Sequence, residues 1–493
     1  MLDNDSLYAA YKAKDARFDG RFFIGIKSTG IYCRPVCRAK QPKAENCSFY
    51  RTAAEAEQAG FRPCLICRPE LAPGNSITDA NAMLASRAAR LLEENCGKTQ
   101  SIEDFAGRLG CTSRHLRRVF LEEYNVSPVQ YLQTCRLLLA KNLLTDTNLS
   151  VLDVAMAAGF GSLRRFNDLF KNHYRLSPTS FRKKTPEART HEGGITIALG
   201  YRPPLDFDEI LSFLEGRSIP GVEIVKEKMY WRTVHLADAE GKSIYGWIQV
   251  CQNPKKNILT ITTSDTLLPV LPQVLAKIRH LFDLHCDPET VYEALAPMND
   301  ISAGLCVLGT RLPGSFNSFE MACRAVLGQQ ITVKAARTLA ARLTNAFGTP
   351  INTNTEGLTH TFPSPKDILA IGEPIENHLG PLGITSRRAK AIWQLAKAFE
   401  SGEIDFDICA NPESEIEKLI KIPGIGNWTA HYIAMRTMGW TDAFLETDIA
   451  IKKALAPRTT KEMQALSEAW RPWRSYATIN LWNSLNEDAA KED

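Results

Sequence analysis

No stretch of the 493-residue chain holds the ~20 consecutive apolar side chains that a membrane-crossing helix requires. Residues 1–18 also lack the apolar centre of a secretory signal, carrying Asp3, Asp5, Lys12, Lys14, Asp15 and Arg17 instead. The reading is therefore a cytoplasmic protein without a membrane partner. Charge of one sign is scarce as well: 59 basic against 55 acidic residues leave a net charge of +4, which by itself points to no class of partner. A single hydrophobic core is excluded by length, since at ~100–200 residues per domain the chain divides into about three or four units.

What the chain does contain is unevenly distributed. Residues 1–190 hold 29 basic and 19 acidic residues, whereas 191–493 hold 30 and 36, so the two parts face different electrostatic tasks. Of the 13 cysteines, Cys33, Cys37, Cys47, Cys64 and Cys67 crowd together while the others are scattered. In a reducing compartment scattered cysteines are core thiols, and a tight cluster is a metal site sooner than a disulfide framework. Cys33-Arg-Pro-Val-Cys37 and Cys64-Leu-Ile-Cys67 form C-x3-C and C-x2-C pairs suited to tetrahedral zinc held by four thiolates. On spacing alone, a structural knot stapling a small domain is the better reading. Cys47 has no partner at useful spacing.

A repeat follows. Tyr124-Asn-Val-Ser-Pro128 returns fifty residues later as Tyr174-Arg-Leu-Ser-Pro178, and each copy ends a two-helix unit. In the first, Ser101 and Asp104 start a helix with Ile102, Phe105, Ala106 and Leu109 on one face; after Gly110 a second helix turns Leu116, Val119 and Phe120 inward. In the second, Ser150 and Asp153 start Val151, Val154, Ala155 and Ala158; the turn is Gly159-Phe-Gly161, and Leu163, Phe166, Leu169 and Phe170 form the next stripe. Helix, glycine turn and basic second helix make a helix-turn-helix, and a duplicated one suits successive major-groove faces. A basic outer face is otherwise only a solvated one. Residues 185–194 read as a polar linker. Strand-like alternation appears at Ile195-Thr-Ile-Ala-Leu199 and Ile258-Leu-Thr-Ile-Thr262, and beyond about residue 270 the period is helical and remains so. There, Ile422-Pro-Gly-Ile-Gly-Asn-Trp-Thr-Ala-His-Tyr432 places a glycine turn between two helices, where backbone amides can approach a phosphate without much net positive charge.

Residues 18–69, from Phe18-Asp-Gly-Arg-Phe-Phe to Cys67-Arg-Pro69, resemble the N-terminal domain of Ada-type adaptive-response regulators. The resemblance implies that Cys33, Cys37, Cys64 and Cys67 bind one zinc ion and that Cys33 accepts a methyl group from a DNA methylphosphotriester. A zinc-bound sulfur stays deprotonated at neutral pH, and three further thiolates keep it electron-rich. Methylation removes one negative charge from the surface facing DNA, a physical route from repair to tighter binding. Thr29, Arg38 and Arg62 match positions that hold the DNA backbone; Lys40 stands where arginine is expected, which removes a bidentate phosphate contact. Ala155 to Phe170 with Leu176-Ser-Pro178 resembles the AraC-type signature, making Arg114, Arg117, Arg164, Arg165 and Asn167 candidates for base-edge contact and RNA polymerase a partner in activation.

The C-terminal motif, with Asp442-Ala-Phe-Leu-Glu-Thr-Asp448 after it, resembles the helix-hairpin-helix DNA glycosylases, and residues 195–486 are similar to AlkA-type 3-methyladenine DNA glycosylases. The resemblance makes Asp448 the catalytic carboxylate, Gly424 and Gly426 the DNA-holding turn, and Trp428, Tyr432 and Trp482 the cleft that takes a flipped base. Trp470 and Trp473 are expected in the core. Gln330 stands at the position of a leucine wedge, offering a polar one. Trp428 occupies the place of the Schiff-base lysine of bifunctional relatives, which implies hydrolysis without strand nicking and no cofactor for that reaction. The Pro-Cys-His-Arg site of an alkylguanine methyltransferase does not occur, so no repair of oxygen-alkylated guanine is expected.

The expected fold class is multidomain, α/β and all-α. A four-cysteine zinc domain spans 1–76, an AraC-type double helix-turn-helix 80–184 and a small α/β subdomain 195–290; a helix-hairpin-helix glycosylase domain fills 291–493. The partner is double-stranded DNA, the location the bacterial nucleoid and the state monomeric. Two rivals stand beside this: a transcription factor whose C-terminal half merely binds DNA, and a repair enzyme whose zinc is purely structural.

Overall fold

A computed structural model describes the chain except residues 1–3, 15–21, 51–55, 57, 58, 65, 68–76, 98–100, 184–193, 239, 407–411, 492 and 493. The end of the expected zinc domain, residues 68–76, and nearly all of the expected linker lie outside the described residues. The chain falls into two compact units, residues 1–90 with 102–128 and residues 91–101 with 129–493.

In the first unit, helix α1 (Asn4–Ala13) accompanies strands β1 (Phe23–Ile26), β2 (Ile31–Cys33), β3 (Cys47–Tyr50) and β4 (Arg62–Pro63), which form one sheet in the order β3-β1-β2-β4. β1 and β2 make a hairpin with Ile24 opposite Cys33, and β2 runs parallel to β4 with Ile31 opposite Arg62. That parallel pairing joins the two cysteine pairs, which lie far apart in sequence: the Cys64 amide donates to the Tyr32 carbonyl at 3.0 Å. Helix α2 follows at Ile77–Glu94.

The helix-turn-helix copies are α3 (Ile102–Arg108) with α4 (Ser113–Tyr124) and, beyond α5 (Pro128–Asp146), α6 (Val151–Ala157) with α7 (Leu163–Tyr174). Their repeat extends to the caps. Thr112 and Ser162 each accept a backbone amide at the start of the second helix, and Asn125 (φ 56°) and Arg175 (φ 60°) end it in the left-handed region. Leu116, Val119 and Phe120 are buried in one copy, Phe166 and Phe170 in the other. Leu163 departs from expectation: at the first helical position, before the apolar face begins, it is 37% exposed. Gly159 cannot be replaced, because a Cβ there would lie 2.2 Å from the Cys96 carbonyl oxygen.

The second unit also holds β5 (Ile195–Gly200), α8 (Phe207–Arg217), β6 (Glu223–Lys226), β7 (Met229–Ala237), β8 (Ser243–Asn253) and β9 (Ile258–Thr263). The five strands form one antiparallel sheet, β5-β9-β8-β7-β6, in which Ile195 pairs with Thr263. The alternation of Ile195, Ile197 and Leu199 is a buried face, which fixes the register. Helices then dominate: α9 (Leu271–Leu281), α10 (Ser318–Leu327), α11 (Val333–Phe347), α12 (Ser386–Glu400), α13 (Pro412–Lys421), α14 (Asn427–Thr437), α15 (Ile449–Ala454) and α16 (Arg474–Lys491). Their core is a cluster built on α10, α12 and α14, with Phe319, Val326, Ile392, Leu395, Ile433 and Ala434 at its centre. The helical period is interrupted by a two-stranded ladder of Thr349–Pro350 with His360–Thr361. Trp470 is buried as expected, but Trp473 is only half-buried, its ring 5.6 Å from that of Tyr476.

Candidate metal centre and aromatic cleft

The sulfurs of Cys33, Cys37, Cys64 and Cys67 all lie within 4.8 Å of one another, and none forms a disulfide. Sulfurs this close cannot all ionise alone: Cys37 and Cys67 beside Cys33, together with burial, push the Cys33 thiol far up, while hydrogen bonds from Cys33 and Cys67 let Cys37 give up its proton. A dication removes that conflict, and four convergent thiolates are the donor set that zinc prefers. The Arg34 amide donates to the Cys67 sulfur at 3.3 Å and its guanidinium to the Cys67 carbonyl at 3.2 Å, orienting the most exposed ligand. Arg34 was not singled out from the sequence, where it is only a residue between two ligands. Cys33 itself is 1% exposed. Cys47 stays outside the group, its thiol directed to the Lys43 carbonyl at 3.5 Å. Thr29, in the turn between β1 and β2, and Arg38, Lys40 and Arg62 are all exposed.

On the helix-turn-helix copies Arg114, Arg164 and Arg165 are exposed and Asn167 is half-buried. Arg117 is exposed too, but its guanidinium donates to Glu103 at 2.9 Å. An exposed pair of this kind is worth at most about 1 kcal/mol and yields readily to a phosphate or base edge.

Asp448 caps α15. Its Oδ1 accepts from the amides of Ala450 (2.9 Å) and Ile451 (3.1 Å) and from Trp482 Nε1 (3.1 Å), and its Oδ2 accepts from Trp428 Nε1 (3.3 Å). Oδ1 is thus saturated, whereas Oδ2 keeps a lone pair for another partner. The loop before it is pinned by Asp442, which accepts from Arg474 Nε at 2.6 Å and from Arg471. Around the carboxylate stand Trp428 stacked on Tyr432 (5.2 Å between ring centres, 24° between planes) and Trp482 edge-on to Tyr432 (6.1 Å). These three and Asp448 are all half-buried, so the group is open on one side.

Two further members come from α8, more than two hundred residues upstream. Phe213 is stacked with Trp482 at 6.4 Å, and the Arg217 guanidinium lies 3.8 Å over the Phe213 ring and 5.9 Å from that of Trp482. A phenylalanine and an arginine one helical turn apart give no sequence signal of a site. Burial would raise the Tyr432 hydroxyl, but Arg436, Arg217 and Arg324 outweigh it and hold it below its ordinary value. Ile449, the residue after Asp448, is 83% exposed, an aliphatic side chain beside the open edge.

The glycine turn lies between α13 and α14. Gly424 has φ 99°, and a Cβ on it would sit 3.2 Å from that of Ala391, so only glycine fits. Gly426 is the N-cap of α14 and no side chain caps that end, which leaves its first amides available to an anion. Gln329 ties the turn to the end of α10, donating to the Gly424 carbonyl (2.9 Å) and Thr429 hydroxyl (3.0 Å). Its neighbour Gln330, three residues beyond the end of α10, is exposed and has φ 56°.

Four segments of the chain match known protein families. Residues 6–70 match the metal binding domain of Ada, 105–184 a helix-turn-helix domain, 196–317 the AlkA N-terminal domain and 323–472 the HhH-GPD superfamily of base excision DNA repair proteins. A Mycobacterium tuberculosis protein described as a probable bifunctional transcriptional activator/DNA repair enzyme AlkA is 34% identical over 492 residues, 98% of this chain and 97% of its own. The Escherichia coli DNA-3-methyladenine glycosylase 2 is 34% identical over 58% of this chain and 95% of its own, and the Escherichia coli regulator Ada 36% identical over 27% of this chain and 37% of its own. The chain belongs to the family of bifunctional transcriptional activator/DNA repair enzymes that join an Ada-type metal-binding domain and a helix-turn-helix domain to an AlkA-type glycosylase.

Proposed function

We propose that the protein excises alkylated purines of the 3-methyladenine and 7-methylguanine type from double-stranded DNA, and that it reports DNA methylation to the transcription machinery through its zinc domain. The observation that carries the first half is Asp448: a carboxylate fixed by four N–H donors at the open edge of an aromatic group.

Excision begins with the damaged nucleotide rotated out of the stack, while the uncapped amides at Gly426 hold the backbone and Gln330 fills the gap it leaves. Trp428, Tyr432 and Trp482 receive the base. As the bond between base and sugar lengthens, positive charge grows on the sugar. The free lone pair of Asp448 Oδ2 faces that charge and orients the water that attacks C1′. Trp428 offers no amine, so the reaction is hydrolysis and the strand stays unbroken. Release of 3-methyladenine from alkylated DNA by the wild type but not by Asp448→Asn tests the proposal; no release by either, or equal release by both, would leave a transcription factor with an idle C-terminal half.

For the zinc domain, Cys33, Cys37, Cys64 and Cys67 would hold the ion, which supplies the thiolate form of sulfur at neutral pH. Cys33 is the proposed acceptor, with Thr29, Arg38, Lys40 and Arg62 on the DNA backbone. Because Cys33 is buried, the phosphotriester has to uncover it. Arg114, Arg117, Arg164, Arg165 and Asn167 read base edges, and the DNA-bound monomer recruits RNA polymerase. A mass gain of one methyl group confined to Cys33 after incubation with methylated DNA supports this; an unmodified Cys33 makes the zinc purely structural.

A further inference from the structure

The core that holds the four sulfurs also holds a tyrosine. Tyr11 stands on α1, upstream of every ligand, and is fully buried. Its helix is pinned to the loop that follows Cys37, because the Gln41 side chain donates to the Tyr11 carbonyl at 2.9 Å and the Tyr8 hydroxyl to the Pro42 carbonyl at 3.0 Å. The Tyr11 ring thereby packs into the same cluster as the cysteines, and among the described residues its buried hydroxyl has no hydrogen-bond partner.

A buried hydroxyl without a partner carries a desolvation cost that phenylalanine would avoid, so the oxygen calls for an acceptor. Phe22, Ile24 and Ile26 around it offer none in their side chains, whereas the sulfurs of the same core can accept once they ionise. Cys37 and Cys67 each accept from an amide already, those of Ala39 and Arg34. Burial, and after it Cys33 ahead of Cys37, Cys47 and Cys67, keeps the proton on the Tyr11 oxygen. The group is therefore a donor, and Cys33 is the sulfur it feels most. The consequence falls on methyl transfer, in which a Cys33 lone pair forms a bond to the methyl carbon while the bond from that carbon to the phosphotriester oxygen breaks and leaves its electron pair on a diester anion. A hydroxyl donated to the sulfur withdraws charge from the attacking lone pair, so it stabilises the thiolate and slows the attack. The thioether formed accepts hydrogen bonds only weakly, so transfer gives that bond up.

Resting on the reading of Cys33 as methyl acceptor, we propose that Tyr11 is a positioning residue of the zinc domain whose hydroxyl donates to the Cys33 thiolate, making the centre hold its metal more tightly and react more slowly. The test compares the full wild-type chain, Tyr11→Phe, and the chain carrying a ring-fluorinated tyrosine at position 11, which is a stronger donor. Zinc retention is read by competition with a chelator, the cobalt-substituted protein by its sulfur-to-metal absorption band, and transfer by the rate of mass gain on Cys33 with methylphosphotriester DNA. A hydrogen bond to a charged group is worth about a decade in an equilibrium constant, so Tyr11→Phe should bind zinc about tenfold more weakly, move the cobalt band to longer wavelength and methylate Cys33 about tenfold faster. The fluorinated tyrosine should shift all three the other way. Zinc retention and a cobalt band unchanged in Tyr11→Phe overturn the inference, since that is the behaviour of a hydroxyl that touches no ligand; should the variant fail to fold, the same readings unchanged in the fluorinated protein overturn it. A wild type that gains no methyl group, beside a Tyr11→Phe protein that loses zinc, refutes the acceptor role of Cys33 and upholds the hydrogen bond.

Discussion

Asp448→Asn separates charge from structure at the proposed reaction centre. Asparagine caps a helix as well as aspartate does, and its amide oxygen can still accept from the Ala450 and Ile451 amides and from Trp482 Nε1. Its amino group would meet Trp428 Nε1 where Oδ2 now accepts at 3.3 Å, but Trp428 is half-buried and water can take that bond. The fold should therefore lose less than about 1 kcal/mol. The reaction should lose much more. A carboxylate about 4 Å from a developing positive charge, at an effective dielectric near 20, is worth roughly 4 kcal/mol, which at about 1.4 kcal/mol per decade is close to a thousandfold in rate. Single-turnover release of 3-methyladenine from methylated DNA measures this, with thermal unfolding of the same preparation as the structural control. A folded Asp448→Asn protein that retains more than about a tenth of the wild-type rate would refute the electrostatic role of this carboxylate. A variant that melts far below the wild type would refute the claim that the cap survives.

Three more perturbations follow from the geometry. Gly424→Ala places a Cβ at φ 99° against Ala391; it should cost about 1–3 kcal/mol of stability and weaken DNA binding, measured by thermal melts and by titration of an abasic duplex. Glu223, in which Arg324 and Arg232 outweigh the effect of burial, holds its proton less tightly than an ordinary glutamate. The stability it contributes is thus present above about pH 4.5 and lost as the pH falls through its lowered value, and Glu223→Gln should destabilise the protein by roughly 3–5 kcal/mol at neutral pH and flatten its acid titration. Removing zinc with a chelator, or replacing Cys37 with serine, should unfold the small four-stranded sheet, whose core shares its interior with the sulfurs, while the strands of the five-stranded sheet keep their amide-exchange protection.

The sequence was legible where the physics is local. Cysteine spacing, the fifty-residue repeat with its cap residues and the Pro-Gly-x-Gly turn each depend on neighbours a few residues away, and all three appear in the structure as local units. Periodicity was a coarser guide: it missed the Thr349–Pro350 and His360–Thr361 ladder, too short to set a period, and placed Leu163 in an apolar stripe although a first-turn position faces solvent.

By itself, then, the sequence determined the order of modules, the four cysteines that cluster and the residues around the hairpin, because motif residues carry their chemistry in their spacing. Only the tertiary structure decided what stands around Asp448. Phe213 and Arg217 reach the cleft because α8 packs there, and no spacing records a contact across more than two hundred residues. The charge balance was likewise a matter of folding: residues 191–493 are acidic overall, yet Glu223 and Glu320 are buried on Arg232 and Arg324, while Arg217 and Arg436 lie over the Phe213 ring beside the aromatic group of Asp448. Net charge counts every residue equally, whereas a site feels only the charges that burial and distance leave within reach.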